Sequence, residues 1–163
     1  MTAMLLCTVS QMKATQVSNA TILLVDDNKD GLVVRRSLLE ELGYHVEISA
    51  NAEEALKLFS VSRFDLIVTD HKMPRMNGTE LIERIRKLDP DARVILLSAF
   101  VEPMGLNEQN TGADSVIVKS AHEPVHLVRA VKRLLNRPAP KKPPGTQRGG
   151  GRVRTGTRGN LAH

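Results

Sequence analysis

The sequence has few of the residues that anchor or cross-link small proteins. Cys7 is the only cysteine, so an internal disulfide is excluded and a reducing compartment fits the composition. No apolar run reaches the roughly 18–20 residues that a membrane-spanning helix needs. The start of the chain also lacks the basic segment that opens a secretory signal. We therefore expect a cytoplasmic protein without a membrane partner.

Aromatic residues are scarce and the basic charge is unevenly distributed. The chain has no tryptophan, one tyrosine and three phenylalanines. Residues 138–163 carry six basic side chains and no acidic one, so subtracting their +6 from the net +5 leaves −1 for residues 1–137. This segment is rich in proline and glycine and poor in large apolar residues, which predicts disorder. The sequence thus divides into an irregular extension (1–20), one folded domain (21–136) and a basic disordered tail (137–163).

Apolar runs alternate with amphipathic segments five times within the folded domain. Short, uninterrupted and β-branched runs are typical of strands that are buried on both faces of a parallel sheet. Such runs occur at Thr21–Val25, Leu66–Thr69, Arg93–Ser98 and Ser115–Val118, and His45–Ser49 is a further strand candidate. Helical patterns occur at Gly31–Leu42, from Asn51 to about Phe59, at Thr79–Leu88 and at Pro124–Asn136. This alternation predicts an α/β fold with a doubly wound parallel sheet.

Two local patterns predict details of the helices. Asn51 is followed at the third place by Glu54, a variant of the capping box. In the last helix, Val128, Val131 and Leu135 are spaced to form one buried stripe.

Polar side chains stand where the predicted strands end. Asp26 and Asp27 follow the first strand, and Asp70 follows the third. Ser98 ends the fourth strand, and Lys119 follows the fifth. In doubly wound sheets the functional crevice lies beyond the carboxyl ends of the strands, so we expect these side chains to meet there.

Three carboxylates in one partly desolvated place repel each other unless a cation is present. Mg²⁺ takes oxygen ligands, commonly carboxylates, waters and a phosphate. An aspartate can act as a nucleophile and form an acyl phosphate, while a cation, a lysine and a hydroxyl stabilise the phosphoryl oxygens. The set of residues therefore points to phosphoryl transfer at a carboxylate.

These motifs together resemble the receiver domain of two-component response regulators. The resemblance covers about residues 20–136, and several separated motifs agree in order and spacing. They are Asp26-Asp27, Asp70-His71-Lys72-Met73-Pro74-Arg75-Met76-Asn77-Gly78, Leu97-Ser98-Ala99, and Gly112-Ala113-Asp114 leading to Lys119.

The resemblance implies a role for each of these positions. Asp70 would be the phosphoacceptor, Ser98 the switch hydroxyl and Lys119 the lysine that contacts the phosphate. Asp26, Asp27, Asp70 and the backbone carbonyl of Lys72 would hold Mg²⁺.

The resemblance also implies a fold and partners. The fold would be flavodoxin-like, (βα)5, with strand order 2-1-3-4-5. The donor would be a sensor histidine kinase or a histidine phosphotransfer protein, and the chain itself would not be an enzyme. We expect output by protein–protein contact, without a DNA-binding effector domain. The downstream target and the oligomeric state stay open, with a homodimer as one candidate.

The sequence departs from the family pattern at three places that concern output. Val116 stands where the family usually has an aromatic residue that changes rotamer on phosphorylation. The segment Val101–Thr111 contains helix-disfavouring residues, so we expect a short or mobile element there. Ser120 replaces a proline that commonly forms a cis bond, which predicts a looser Lys119 loop. These differences call into question whether the usual output surface is used.

Several alternative interpretations remain open. Asp26 and Asp27 alone could cap a helix. Asp70 and Lys119 could form a structural ion pair in a pseudo-receiver scaffold whose basic tail associates weakly with nucleic acid. His122 and His126 have a zinc-compatible spacing without a third ligand, and we expect the His71 side chain to point into solvent.

Overall fold

The computed structural model describes residues 19–138, so nearly all of the predicted tail and of the N-terminal extension lie outside the described residues. Its strands are β1 (Thr21–Val25), β2 (His45–Ser49), β3 (Leu66–Asp70), β4 (Val94–Ser98) and β5 (Ser115–Val118). Its helices are α1 (Lys29–Glu41), α2 (Ala52–Val61), α3 (Gly78–Leu88), α4 (Val101–Met104), α5 (Glu108–Thr111) and α6 (Glu123–Leu135). Within this part of the chain, no helix has both the length and the apolarity needed to cross a membrane.

The five strands form one parallel sheet in the order β2-β1-β3-β4-β5. This confirms the predicted doubly wound, flavodoxin-like fold. Every residue of β3 and β4 is buried, because helices cover both faces of the sheet. Successive side chains of β1 enter opposite cores: Ile22 and Leu24 pack on one face, and Leu23 and Val25 on the other.

The last helix corrects one prediction of the sequence. Its buried stripe consists of Leu127, Ala130, Val131 and Leu134, whereas the predicted members Val128 and Leu135 are only half-buried. The buried set has the spacing i, i+3, i+4, i+7 of a helix face that packs against a sheet. Val131 was predicted correctly, but Val128 and Leu135 lie at the margin of that face, because sequence periodicity alone does not fix which apolar side chains face inward.

The capping box predicted at Asn51 is only half formed. The Asn51 side chain accepts a hydrogen bond from the backbone N–H of Glu54 at 2.8 Å. Glu54 does not return the bond, since its carboxylate instead accepts a contact of 3.4 Å from the Ser49 hydroxyl. A complete capping box opens α3, where Asn77 and Glu80 bond each other's backbone N–H groups at 2.9 and 3.0 Å.

The segment between β4 and β5 forms two helices of four residues each, which confirms the expected short element. Gly105 ends α4 with a φ of 60°, a left-handed conformation that glycine adopts without strain. Asn107 then caps α5 and bonds the N–H groups of Gln109 and Asn110. The residues that disfavour a long helix here are therefore the ones that end one short helix and begin the next.

The strand register brings the strand ends to one edge of the sheet. Val25 pairs with Thr69, so Asp26 follows β1 at the level of Asp70. Asp70 pairs with Leu97, and Ser98 pairs with Val118. The last residues of β3 and β4 and the residues that follow β1 and β5 thus meet at the carboxyl edge.

Candidate functional site

Three carboxylates meet at this edge. An oxygen from each of Asp26, Asp27 and Asp70 lies within 4.8 Å of the others. Asp26 and Asp70 are 3% and 5% exposed, whereas Asp27 lies at the surface. β3 extends one residue further than predicted, so Asp70 is the last residue of the strand and is held by the sheet itself.

Lys119 joins two of these carboxylates. Its Nζ atom lies 2.8 Å from Asp70 Oδ1 and 3.3 Å from Asp26 Oδ2. Its backbone N–H donates to the Ser98 carbonyl at 2.9 Å, which continues the pairing of β4 with β5 beyond the last strand residue. The sheet therefore fixes the backbone of Lys119, and the carboxylates of Asp26 and Asp70 fix its ammonium group.

Burial dominates the electrostatics of Asp70. Desolvation raises the pKa of this carboxyl above its ordinary value, and the negative charge of Asp26 raises it further. The hydrogen bond and charge of Lys119 lower this pKa, but they do not offset the burial. A further positive charge at the acidic cluster would therefore stabilise the ionised form of Asp70.

The cluster opens into a cleft of about 530 Å³. The cleft is lined by all the residues to which the sequence assigned a site role, together with Asn28, Met73, Pro74, Ala99 and Phe100. The buried Ser98 hydroxyl accepts a hydrogen bond from the Phe100 N–H at 3.1 Å, so its own proton is free for another acceptor. Lys72 Nζ, also in the lining of the cleft, lies 5.9 Å from the centroid of the Phe100 ring.

Arg35, which the sequence interpretation did not assign to the site, contacts it and links it to Glu123. Asp26 Oδ2 accepts a hydrogen bond from Arg35 Nη1 at 2.8 Å, and the same guanidinium donates through Nε to Glu123. Burial alone would lower the pKa of Arg35, but the contacts with Glu123 and Asp26 raise it above the ordinary value. The sequence did contain a signal for this contact, because Arg35 is a basic residue at one of the inward positions of α1.

Asn28, and not the aspartates, caps α1. Its side chain accepts from the N–H groups of Asp30 and Gly31 at 3.0 and 3.3 Å. Asp26 uses Oδ1 to accept from the Asn28 N–H at 2.9 Å, which orients its carboxylate towards the cleft. The interpretation of Asp26 and Asp27 as mere helix caps is therefore wrong.

The acidic cluster fits a hard divalent cation. Its donors are carboxylate oxygens, two of its three acids are buried, and Mg²⁺ prefers such oxygens. No other group of three metal-ligating side chains occurs in residues 19–138, so His122 and His126 gain no third ligand there. His71 is half-buried, and not exposed as expected, and it does not line the cleft.

Comparison with known proteins identifies relatives of this chain. A family model described as the response regulator receiver domain matches residues 22–132. The chemotaxis protein CheY of Thermotoga maritima is 31% identical over 115 residues, which cover 69% of this chain and 95% of that protein. A response regulator receiver protein of Anaeromyxobacter sp. is 40% identical over 79 residues, 48% of this chain and 33% of that protein. The chain thus spans only a third of that longer relative.

Solved structures agree with the sequence relatives. The response regulator protein TrrA of Thermotoga maritima, solved in complex with Mg²⁺-BeF, is 35% identical with a TM-score of 0.64. The match covers 71% of this chain and 98% of that one. A CheY-like receiver domain protein of Methanospirillum hungatei is 36% identical with a TM-score of 0.66, covering 72% and 94% of the two chains.

Proposed function

This chain belongs to the response regulator receiver domain family, and from that premise we propose that Asp70 accepts a phosphoryl group in two-component signalling. The observation that carries the proposal is the position of Lys119, whose ammonium bridges Asp70 and Asp26 beside the exposed carboxylate of Asp27. A nucleophilic carboxylate, a fixed cation and a metal-binding acid pair are the parts that phosphoryl transfer to an aspartate requires.

The transfer converts one phosphorus bond into another. A carboxylate oxygen of Asp70 attacks the phosphorus of a phosphohistidine, and the P–N bond breaks with its electron pair returning to the imidazole. The product is an acyl phosphate on Asp70. Lys119 already touches Asp70 Oδ1 at 2.8 Å and neutralises charge on the incoming group, and the Ser98 hydroxyl donates to a phosphoryl oxygen.

Asp26, Asp27, Asp70 and the backbone carbonyl of Lys72 would hold Mg²⁺. When bound there, Mg²⁺ supplies positive charge to the carboxylates and to the phosphoryl oxygens. The buried Asp26 has its carboxylate oriented by the Asn28 N–H, so this donor is in place before the metal arrives.

The donor in this proposal is a sensor histidine kinase or a histidine phosphotransfer protein, and the setting is the cytoplasm. The chain accepts one phosphoryl group per molecule and is not itself an enzyme acting on a separate substrate. Output passes by protein–protein contact. Large exposed apolar side chains next to the cleft support such contact, because they are typical of interaction surfaces: Phe100, Met104 and Val118.

Intact-mass spectrometry with a small phosphodonor tests the proposal. The parent should gain one phosphoryl mass when Mg²⁺ is present and none in EDTA, and Asp70→Asn should gain none in either condition. Asp65→Asn is the matched control, since Asp65 lies at the opposite end of β3 and bonds the Thr21 N–H there. If the parent gains no mass with Mg²⁺, the pseudo-receiver interpretation replaces this one.

A further inference from the structure

An ion-pair chain extends from the acidic cluster to the start of α6. Arg35, on α1, donates to Asp26 on one side and to Glu123 on the other, 88 residues further along the sequence. The three side chains are nearly inaccessible, with exposures of 12%, 4% and 11%. Such a buried guanidinium is costly to desolvate and is held in place only because both partners are charged.

The first turn of α1 makes room for this guanidinium. A Cβ atom at Gly31 would lie 2.8 Å from Arg35 Nη1 and 3.5 Å from Asp26 Oδ2. Glycine inside a helix is destabilising relative to alanine. The side chain of Arg35 folds back over the preceding turn, as long helical side chains do, and reaches Asp26 through the space that Gly31 leaves.

The charges around the site show what Arg35 does. Asp26, Asp27, Asp70 and Glu123 carry four negative charges, and Arg35 and Lys119 carry two positive ones, which leaves −2. Without Arg35 the excess would be −3. A divalent cation that enters the cluster is therefore attracted less strongly than it would be by the aspartates alone. It also has to compete with the Arg35 guanidinium, which already pairs with Asp26.

We propose that Arg35 is a positioning residue that acts as a resident counter-ion of Asp26 and lowers the affinity of the cluster for Mg²⁺. Glu123 shares the guanidinium and so moderates this effect. Because the two contacts use one side chain, metal binding at Asp26 is linked to the contact between α1 and the start of α6. The inference rests on the proposed function, since it assumes that the cluster binds Mg²⁺.

Isothermal titration calorimetry with Mg²⁺ alone, without a phosphodonor, tests the inference. Arg35→Met should lower the Kd for Mg²⁺ about tenfold, because a positive charge near the metal is removed. Glu123→Gln should raise the Kd, because Arg35 then keeps Asp26 as its only charged partner. The control is Arg36→Met on the same helix, whose side chain pairs with Glu40 at the surface and should leave the Kd unchanged.

A second variant and a second measurement keep the test informative if Arg35→Met does not fold. Arg35→Met leaves Glu123 buried without a cation, so the double variant Arg35→Met/Glu123→Gln removes both charges and should also bind Mg²⁺ more tightly than the parent. Saturating Mg²⁺ should raise the unfolding temperature of both Arg35 variants more than it raises that of the parent, since tighter binding stabilises more.

The outcomes separate the two claims. If the parent binds Mg²⁺ and neither Arg35 variant binds it more tightly, the inference is wrong while the proposed function stands. If the parent binds no Mg²⁺ and gains no phosphoryl mass, the proposed function fails and the inference fails with it.

Discussion

At the scale of single residues, Gly78 shows how closely the backbone is packed behind the site. A Cβ atom there would lie 2.3 Å from the Asp70 carbonyl oxygen and 2.8 Å from Leu96 Cδ1. Gly78→Ala should lower the free energy of unfolding by about 2 kcal/mol, because the carbonyl belongs to a central strand that cannot move freely. Urea denaturation measures this loss, and the displacement of Asp70 should also weaken Mg²⁺ binding.

Gly105→Ala is the matched control for this prediction. A Cβ at Gly105 meets nothing within 4 Å, although its φ of +60° strains any other residue. We expect a cost of about 1 kcal/mol and an unchanged Mg²⁺ affinity. Equal effects of the two variants on Mg²⁺ binding would contradict the packing argument.

Tyr44 gives a pH-dependent prediction that can be read directly. Burial raises the pKa of its phenol, since the side chain packs in the core and is 9% exposed. The folded state favours the neutral phenol, and this preference contributes to the free energy of unfolding. The contribution is fully present below the ordinary pKa of about 10. It is lost as the pH rises through the raised pKa of the folded state. Tyr44→Phe should therefore unfold less readily than the parent at alkaline pH and equally at pH 7.

The measurement is simple because the chain has one tyrosine and no tryptophan. Tyrosinate absorbance of the folded parent reports the pKa of Tyr44 alone. An ordinary pKa, or parallel stability curves of parent and Tyr44→Phe across alkaline pH, would contradict the prediction.

At the scale of elements, hydrogen bonds from Arg86 connect the end of α3 to the loops that precede β4 and β5. Its guanidinium donates to the Gly112 carbonyl and to Asp114 Oδ2, both at 2.9 Å, and to the carbonyls of Pro90 and Ala92. These bonds lie at the opposite end of the sheet from the aspartates. Arg86→Met should lower the free energy of unfolding by about 2–3 kcal/mol, because a charged donor is lost from several carbonyls.

The Arg86 prediction separates stability from chemistry. Phosphorylation of Asp70 by a small donor should be unchanged in Arg86→Met under conditions where the variant is folded. Arg84→Met, at an exposed position of the same helix, should change the free energy of unfolding by less than about 0.5 kcal/mol. Equal losses in the two variants would show that the loops do not depend on Arg86.

Elements whose signal is local could be predicted from the sequence. The sequence pattern predicted β1, β2 and β5 with their observed bounds. For β1 the reason is that a strand buried on both faces leaves an uninterrupted apolar run. The buried stripe of α6 could not be predicted as reliably, since several apolar side chains compete for one face. In the Lys119 loop, Ser120 accepts hydrogen bonds from the N–H groups of His122 and Glu123, and no pattern in the sequence predicted these two bonds. The looser loop stays a prediction.

At the scale of the whole molecule, the candidate site is a product of topology. Parallel strands bring residues 26, 70, 98 and 119 to one edge, and the rule that places function at this edge predicts their meeting without any coordinate. The contact of Arg35 with Glu123 could not be predicted in this way. It joins a helix face to the start of a helix 88 residues away, and no strand register relates the two.

The central claim is that Asp70 itself carries the phosphoryl group, and chemical trapping tests it most directly. Borohydride reduces an acyl phosphate to the alcohol, so a phosphorylated aspartate becomes homoserine and can be located by peptide mass spectrometry. After incubation with a small phosphodonor and Mg²⁺, we predict homoserine at position 70 and none at positions 26 or 27. Homoserine at either of those positions, or phosphoprotein that yields no homoserine, would contradict the account.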